Sequence, residues 1–168
     1  MTLRKLILLV ALVSLLDIGF ATAQKIKTYD FRQIEPQFHF QNDTTYVINF
    51  WAMWCKPCVE ELPEFENIRK AYSDKKVKVL LISLDFGSNV DKRLVKFLEK
   101  KQIGAETIIL DDPDANSWIN KVSSDWDGAL PATIVYKQEK RKYFGRKVTY
   151  SELAETIDQI NNIKTVNK

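Results

Sequence analysis

Apolar residues along this chain alternate between short continuous runs and longer stretches with helical spacing. The run VKVLLISLDF at 77–86 is nearly all apolar and has the length of a strand, which is typical of a sheet covered by helices on both faces. ETIILDD at 106–112 predicts a second buried strand. Between such runs, apolar residues recur at spacings of three and four, which predicts amphipathic helices.

Four helices are predicted from this spacing and from capping residues. The first follows Lys56, and its apolar positions are Val59, Leu62, Phe65, Ile68 and Tyr72. A second opens at Ser88, and its apolar stripe contains Val90, Leu94, Phe97 and Leu98. A short third helix covers DANSWINKV at 114–122. Thr149 and Glu152 have the spacing of a capping box ahead of the last helix.

Two further pairs of β-rich segments complete the pattern. PQFHFQ at 36–41 and TTYVINFWA at 44–52 are separated by the turn residues Asn42 and Asp43, which predicts a strand pair. Near the other end, ATIVYKQ and KRKYFGRKV predict a hairpin. The predicted order is therefore β-β-α-β-α-β-α-β-β-α, which implies one sheet between two layers of helices.

Residues 1–23 have the features of a secretory signal peptide. A basic start with Arg4 and Lys5 precedes the apolar run Leu6–Leu16, and Ala21-Thr22-Ala23 forms an A-x-A pattern, which predicts cleavage before Gln24. The apolar run is shorter than the roughly 20 residues of a spanning helix, although an uncleaved anchor remains the alternative. We expect residues 24–168 to form one domain outside the cytoplasm, in the periplasm or at the outer face of the membrane.

The charges of the chain are nearly balanced. The chain has 25 basic and 22 acidic residues, and removal of residues 1–23 leaves a net charge of +2. Basic residues are interleaved with acidic ones, so we expect no nucleic-acid partner. A basic cluster remains open as a contact for an acidic partner or a membrane surface; it contains Lys137, Lys140, Arg141, Lys142, Arg146 and Lys147.

The only two cysteines, Cys55 and Cys58, could form a staple, a metal site, a haem attachment or a redox centre. A disulfide across two residues closes almost no loop, so it contributes little as a staple. A zinc site needs four ligands, and the single histidine, His39, is far away in the sequence and expected at the surface. Haem attachment needs histidine after Cys58, where Val59 stands. Redox chemistry remains, with no metal or other cofactor.

Helix geometry supports a redox centre at this spacing. If the helix begins near Lys56, Cys55 lies at its N-terminus, where unpaired N–H groups and the helix dipole favour a thiolate. The pKa of Cys55 should then fall in the range of about 3.5 to 7.5 found for such cysteines. Cys58, one turn inside, can attack a mixed disulfide formed at Cys55 and release the partner. Pro57 suits the first helical turn, and Lys56 either adds a positive charge beside the sulfur or is a plain exposed residue.

Two motifs carry a family resemblance. VINFWAMWCKPCVEELPEF resembles the active site of the TlpA/ResA-like extracytoplasmic thiol–disulfide oxidoreductases, and DGALPATIVY resembles their loop with a cis-proline before a strand. The resemblance covers roughly Thr44 to Asn162. It implies a thioredoxin-like α/β fold, a three-layer α/β/α sandwich with a central mixed β-sheet, an N-terminal β extension and an inserted helix-strand unit.

The resemblance also implies roles for individual residues. Cys55 would be the nucleophile and Cys58 the resolving cysteine. Trp54 and Pro57 would line the surface around the attacking sulfur. The Leu130 backbone would pair with a partner peptide as an added strand, and Pro131 would be the cis-proline packed against the disulfide. Core packing for Leu130 and a simple strand start for Pro131 are the alternatives.

Glu61 separates this chain from cytoplasmic thioredoxins. Those proteins carry a buried aspartate six residues before the first cysteine, where this chain has Asn49, which cannot titrate. TlpA/ResA-like proteins have a glutamate at the position of Glu61, one helical turn past Cys58, close enough to exchange a proton with the centre. The alternative is a carboxylate on the helix surface. Trp118 is expected in the core, whereas Trp126 either packs there or borders a partner groove.

The predicted function is an extracytoplasmic thiol–disulfide oxidoreductase, most simply a reductase of an oxidised substrate protein such as an apocytochrome. A membrane thiol-electron donor of the CcdA/DsbD-like kind would supply electrons, and the protein is expected to be a monomer. A redox-responsive binding module without turnover and a thiol oxidase of the same fold remain alternatives. Peroxidase chemistry is disfavoured, because the peroxiredoxin-type Thr-x-x-Cys arrangement has Ala52 in place of its threonine.

Overall fold

Six strands form a single sheet in the order β1-β4-β3-β2-β5-β6. The computed structural model describes residues 26–162, so the predicted signal peptide and its cleavage point lie outside the described residues. The strands are β1 (Thr28–Tyr29), β2 (Thr45–Trp51), β3 (Val77–Ser83), β4 (Glu106–Leu110), β5 (Ala132–Lys137) and β6 (Lys140–Phe144). The helices are α1 (Phe31–Ile34), α2 (Lys56–Ala71), α3 (Val90–Lys101), α4 (Ala115–Val122) and α5 (Tyr150–Ile160).

The sheet is mixed, as predicted. Strands β1, β4, β3 and β2 run parallel to one another, whereas β5 is antiparallel to β2 and forms a hairpin with β6. The carboxyl ends of β2, β3 and β4 therefore meet at one edge, together with the amino end of β5. The cysteine motif follows β2 at this edge, and Pro131 precedes β5 at the same edge.

Alternation along the strands divides the core between the two faces of the sheet. In β2, Val47 and Trp51 pack with α2, α3 and α5 on one face, whereas Ile48 and Phe50 pack with α1 and α4 on the other. Both faces are buried, which explains why the central strands are almost continuously apolar. The result is the predicted three-layer α/β/α sandwich.

Helix boundaries largely follow the sequence signals. Thr149 and Glu152 form the predicted capping box at the start of α5. The helix α3 begins at Val90 instead of Ser88, because Asn89 has a φ of +55° and lies just before the first helical residue. The helix α2 begins at Lys56, and Cys55 is its N-cap.

The predicted strand at 36–41 is wrong. A capping box between Asp30 and Gln33 starts α1, which is followed by a 3₁₀ helix at Glu35–Phe38 with Pro36 in its first turn. The buried side chains of this segment have helical spacing and are Phe31, Ile34 and Phe38. The N-terminal β extension is instead the two-residue strand β1, which pairs with β4 at the far edge of the sheet.

No helix among residues 26–162 combines the length and the apolar character that a membrane crossing needs.

Candidate active site

Cys55 and Cys58 form a disulfide across the first turn of α2, with 5.3 Å between their Cα atoms. Cys55 caps the helix, and its Sγ accepts a hydrogen bond from the Cys58 N–H at 3.4 Å. Cys58 is completely buried, and Cys55 is 6% exposed. Cys55 is thus the sulfur that an incoming group reaches first, at a helix end that favours a thiolate.

A buried polar cluster lies behind the disulfide. Asn49, on the face of β2 that packs against α2, donates its Nδ2 to Glu61 Oε1 at 2.8 Å and to Thr133 Oγ1 at 3.0 Å. The other Glu61 oxygen, Oε2, accepts the backbone N–H of Val148 at 2.8 Å. Glu61 is fully buried, so the alternative of a carboxylate on the helix surface is wrong.

Burial changes the proton affinity of Glu61. Loss of water around the carboxyl group raises the pKa of Glu61 to about 7, and the Val148 N–H, the Asn49 amide and the charge of Lys147 only partly oppose this rise. At neutral pH the group is therefore divided between its acid and its carboxylate. A carboxyl group with this pKa can both take up and give back a proton at physiological pH.

The segment after β6 contacts the Glu61 carboxyl group from the side opposite β2. Val148 supplies a backbone N–H to Glu61, and Lys147 forms an ion pair with Glu60 at 2.9 Å. Glu60 is exposed. A backbone N–H leaves no trace in residue type, so the contribution of Val148 could not be predicted. The five residues between β6 and α5 thus contribute to the site.

The outer side of the disulfide is open to solvent. Trp54 is 63% exposed, and Lys56 and Pro57 are exposed as well. The Leu130–Pro131 peptide bond is cis, as the resemblance implies, and Pro131 is buried, whereas Leu130 is half-buried. Ala132 lies opposite Phe50, so the register places Pro131 next to the loop that carries Cys55.

The sequence analysis missed Asp85. This carboxylate is 4% exposed and accepts the Met53 N–H at 2.9 and 3.2 Å and the Ser83 hydroxyl at 2.8 Å. The adjacent Leu84 N–H donates to Trp51 O at 2.8 Å. The end of β3 therefore fixes the loop between β2 and Cys55. An acidic residue directly after a buried strand is the signal that could have indicated this position.

Other predicted positions are placed as follows. Trp118 is in the core, as expected. Trp126 is also a core residue, 3% exposed, and its Nε1–H donates to Ala129 O at 2.8 Å. His39 is exposed at the end of the 3₁₀ helix. Within 26–162, no three His, Cys, Asp or Glu side chains come together as a metal site.

Most members of the basic cluster bind partners within the chain. Lys137 pairs with Asp43 at 2.6 Å, and Arg146 pairs with Glu152 at 2.7 Å. Arg141 donates to Phe38 O at 2.8 Å, and Lys140 donates to Asn162 Oδ1 at 3.0 Å. The basic cluster is therefore a solvated surface on which most charged side chains bind groups of the same protein.

Comparison with known sequences agrees with this site. Residues 21–141 match the AhpC/TSA family. Thioredoxin-like protein YneN of Bacillus subtilis is 31% identical over 77 residues, 46% of this chain and 44% of YneN. Thiol-disulfide oxidoreductase ResA of Bacillus cereus is 28% identical over 107 residues, 61% of this chain and 62% of ResA. The chain thus spans less than two thirds of the length of both curated relatives.

Comparison with solved structures supports the fold independently. A secreted thiol-disulfide isomerase from Corynebacterium glutamicum superposes with a TM-score of 0.59 at 20% identity, over 76% of this chain and 74% of that one. The likeness confirms the predicted thioredoxin-like sandwich. Since the matched family segment covers most of the sequence, and since relatives named ResA confirm the resemblance carried by its two motifs, this chain belongs to the AhpC/TSA family.

Proposed function

We propose that the protein is an extracytoplasmic thiol–disulfide oxidoreductase that reduces disulfides of a substrate protein. The observation that carries this proposal is the Cys55–Cys58 disulfide at the N-terminus of α2, directly in front of the buried carboxyl group of Glu61. The oxidoreductase names of its relatives support the same chemistry.

The reaction follows from the positions of the two sulfurs. In the reduced protein the Cys55 thiolate attacks the substrate disulfide, so a mixed disulfide forms and one substrate thiolate leaves. Cys58 then attacks the Cys55 sulfur, which releases the second substrate thiol and forms the Cys55–Cys58 disulfide. Two electrons pass to the substrate, and a donor thiol pair restores the reduced protein.

In this reaction Glu61 accepts the proton of Cys58. It lies one turn further along the buried face of α2, and its pKa of about 7 leaves part of the population ionised at neutral pH. Buried Cys58 must lose its proton before it attacks, and on this turn of the helix Glu61 is the buried carboxyl group, whereas Glu60 is exposed. Asn49 and Val148 hold the carboxyl group in place from both sides.

The substrate is held at the outer side of the disulfide. The exposed Trp54, Lys56 and Pro57 offer contact area next to Cys55, and the Leu130 backbone, just ahead of β5, offers hydrogen-bonding groups for an extended segment. Pro131 packs against the disulfide from the cis-proline loop. These contacts bind the mixed disulfide and leave room for Cys58 to resolve it.

The location and the electron source complete the proposal. Residues 1–23 direct the chain out of the cytoplasm, and residues 24–168 form the catalytic domain, a monomer that receives electrons from a membrane thiol carrier of the CcdA/DsbD-like kind. A fold relative is a secreted protein.

Fusion of the full chain to a reporter that is active only after export should give activity, and the exported chain should start at Gln24 by mass spectrometry. A silent reporter would contradict the location.

Turnover distinguishes an enzyme from a binding module. With dithiothreitol as the electron source, the protein should accelerate insulin reduction, and Cys55→Ser should reduce the rate to that of the uncatalysed reaction. The matched variant Cys58→Ser keeps the attacking sulfur and should accumulate a mixed disulfide, which mass spectrometry detects. A folded wild-type protein that does not accelerate reduction would favour the redox-responsive binding module.

A further inference from the structure

A cleft of about 280 Å³ opens at the carboxyl ends of β3 and β4, the edge of the sheet that also carries the cysteine motif. We name it the Phe86 cleft; its apolar lining includes Leu84, Phe86, Trp118, Ile119 and Trp126. Nothing in the proposed reaction uses these side chains. The cleft lies on the sheet face opposite α2, so it is separate from the Glu61 cluster.

The Phe86 cleft is physically joined to both loops of the active site. On one side, Leu84 and Asp85 bind the backbone of Trp51 and Met53, just before Cys55. On the other side, Trp126 and Gly128 lie five and three residues before Pro131. An extended segment of roughly 3.3 Å per residue that starts at the Leu130 backbone reaches the cleft within a few residues.

Phe86 is an exposed apolar side chain in the lining of the cleft. Its exposed fraction is 73%, and between Ile26 and Asn162 only Trp54, beside the disulfide, is a comparably exposed large hydrophobic residue. Exposed aromatic residues next to an apolar cleft are typical of interaction surfaces. Both aromatic side chains therefore lie on the side of the molecule where the substrate docks.

The charged residues that line the Phe86 cleft are both acidic. Asp111 and Asp112 are its charged lining residues, and neither forms an ion pair with any cation in the part of the chain that the structure describes. Asp112 accepts two backbone N–H groups, from Phe31 and Asp114. Arg93 donates to the Phe86 carbonyl and does not line the cleft. A cation on the bound segment would find two carboxylates here.

We infer that the Phe86 cleft binds an apolar, preferably aromatic, side chain of the substrate protein next to its disulfide, and that Asp111 and Asp112 select a basic residue beside that side chain. This inference rests on the proposed function and names its substrate class. The occupant is an extended, basic-aromatic segment of an oxidised protein, because apolar walls and two carboxylates without an ion pair among the described residues meet in one cleft, whose lining residues Leu84 and Gly128 adjoin the two loops of the active site.

Three peptides test this preference. Each contains one cysteine, activated as a mixed disulfide with thionitrobenzoate, and they differ only in two neighbouring residues: phenylalanine with arginine, phenylalanine with glutamate, or serine with arginine. Each reaction with the reduced protein releases the peptide thiol and thionitrobenzoate and leaves the Cys55–Cys58 disulfide. Rates are divided by the rate with Ellman's reagent, a small disulfide that cannot extend into the cleft.

The expected order has the phenylalanine-arginine peptide first. Loss of the aromatic side chain should slow the reaction about tenfold, and replacement of arginine by glutamate should slow it up to about fivefold, less at high salt. Phe86→Ser should remove the preference for phenylalanine, and Asp111→Lys should reverse the preference for arginine. Asp74→Asn, an exposed carboxylate in the turn after α2 at the other end of β3, should leave both preferences unchanged.

The outcomes separate the two proposals. Equal normalised rates for all three peptides, or preferences that survive Phe86→Ser and Asp111→Lys, would overturn the inference while the redox function stands. A protein that reduces neither the peptides nor Ellman's reagent would instead overturn the proposed function.

Discussion

The two faces of the central sheet are equally buried but differ in chemistry. On the face that packs against α1 and α4, aromatic rings contact one another: Phe50 lies 4.5 Å from Trp126 in a tilted pair and 6.2 Å from Trp118 in a stacked pair, measured between ring centroids. On the face that packs against α2, Asn49 and Glu61 interrupt an otherwise apolar core. One face therefore stabilises the sheet, whereas the other gives up stability to hold a titratable group behind the disulfide.

The aromatic face should show the largest effect on stability. Phe50 is fully buried between Phe38, Trp118 and Trp126, so Phe50→Ala should lower the free energy of unfolding by about 3–5 kcal/mol. Urea unfolding of the oxidised protein measures this loss. Phe86→Ala, at an exposed position, is the matched control and should change stability by less than about 0.5 kcal/mol. Similar losses in both variants would remove the distinction.

The polar face should show a pH-dependent effect. Glu61 ionises near pH 4.5 when unfolded and near pH 7 when folded, so the folded state binds more protons between these values. Stability should therefore fall as the pH rises through this window, by on the order of 3 kcal/mol in total. Glu61→Gln should remove this fall and be more stable than the wild type at about pH 8, by urea unfolding.

A control on the same helix sharpens this test. Glu64→Gln removes a carboxyl group that is partly exposed on α2, and its stability should keep the wild-type pH dependence. Glu61→Gln should also slow the resolution of a mixed disulfide about 100-fold if Glu61 accepts the Cys58 proton. A resolving step with an unchanged rate and pH profile would remove Glu61 from the mechanism.

Asp85 links the loop between β2 and Cys55 to the end of β3, and its loss should have an intermediate effect on stability. Asp85→Asn replaces one of the oxygens that accept the Met53 N–H and the Ser83 hydroxyl, which should cost about 1–3 kcal/mol. Alkylation of Cys55 by iodoacetamide in the reduced protein should become slower, because the helix N-cap is less well positioned. Ser83→Ala, which removes the hydroxyl that donates to Asp85 and accepts its backbone N–H but leaves the contact with Met53, should have a smaller effect on both measurements.

Lys147 should give the smallest effect and the most specific one. Its charge lowers the pKa of Glu61, so Lys147→Met should move the midpoint of the Glu61 titration to higher pH with little change in stability. Infrared spectroscopy of the carboxyl band follows this titration. Lys142→Met, in the same basic cluster but without an ion pair among the described residues, should leave the midpoint in place.

Long periodic elements could be predicted from the sequence, whereas short and backbone-defined features could not. The spacing after Lys56 correctly predicted α2, and the capping box at Thr149 correctly predicted α5. The strand predicted at 36–41 failed because Phe38 and Phe40 alternate with polar residues, although a capping box and Pro36 start helical turns there. Pattern over a few residues cannot separate these possibilities.

The site divides in the same way. Side-chain chemistry was visible at Cys55, Cys58 and Glu61, because the type and spacing of these residues define it. The Val148 N–H and the loop contacts of Asp85 arise only when distant segments meet in the fold. Residue types at 85 and 148 do not encode these partners.

The reduction potential of the Cys55–Cys58 pair tests the central claim most directly. The helix end favours a thiolate at Cys55, but a partly ionised Glu61 one turn from Cys58 disfavours a negative charge on the second sulfur, so ionisation of Cys58 adds little stability to the reduced form. After equilibration with a thiol–disulfide buffer at pH 7, we therefore predict a reduction potential of about −270 mV, as in thioredoxin. A reduction potential of about −120 mV, as in strongly oxidising proteins of this fold, would contradict the assignment as a reductase and favour a thiol oxidase.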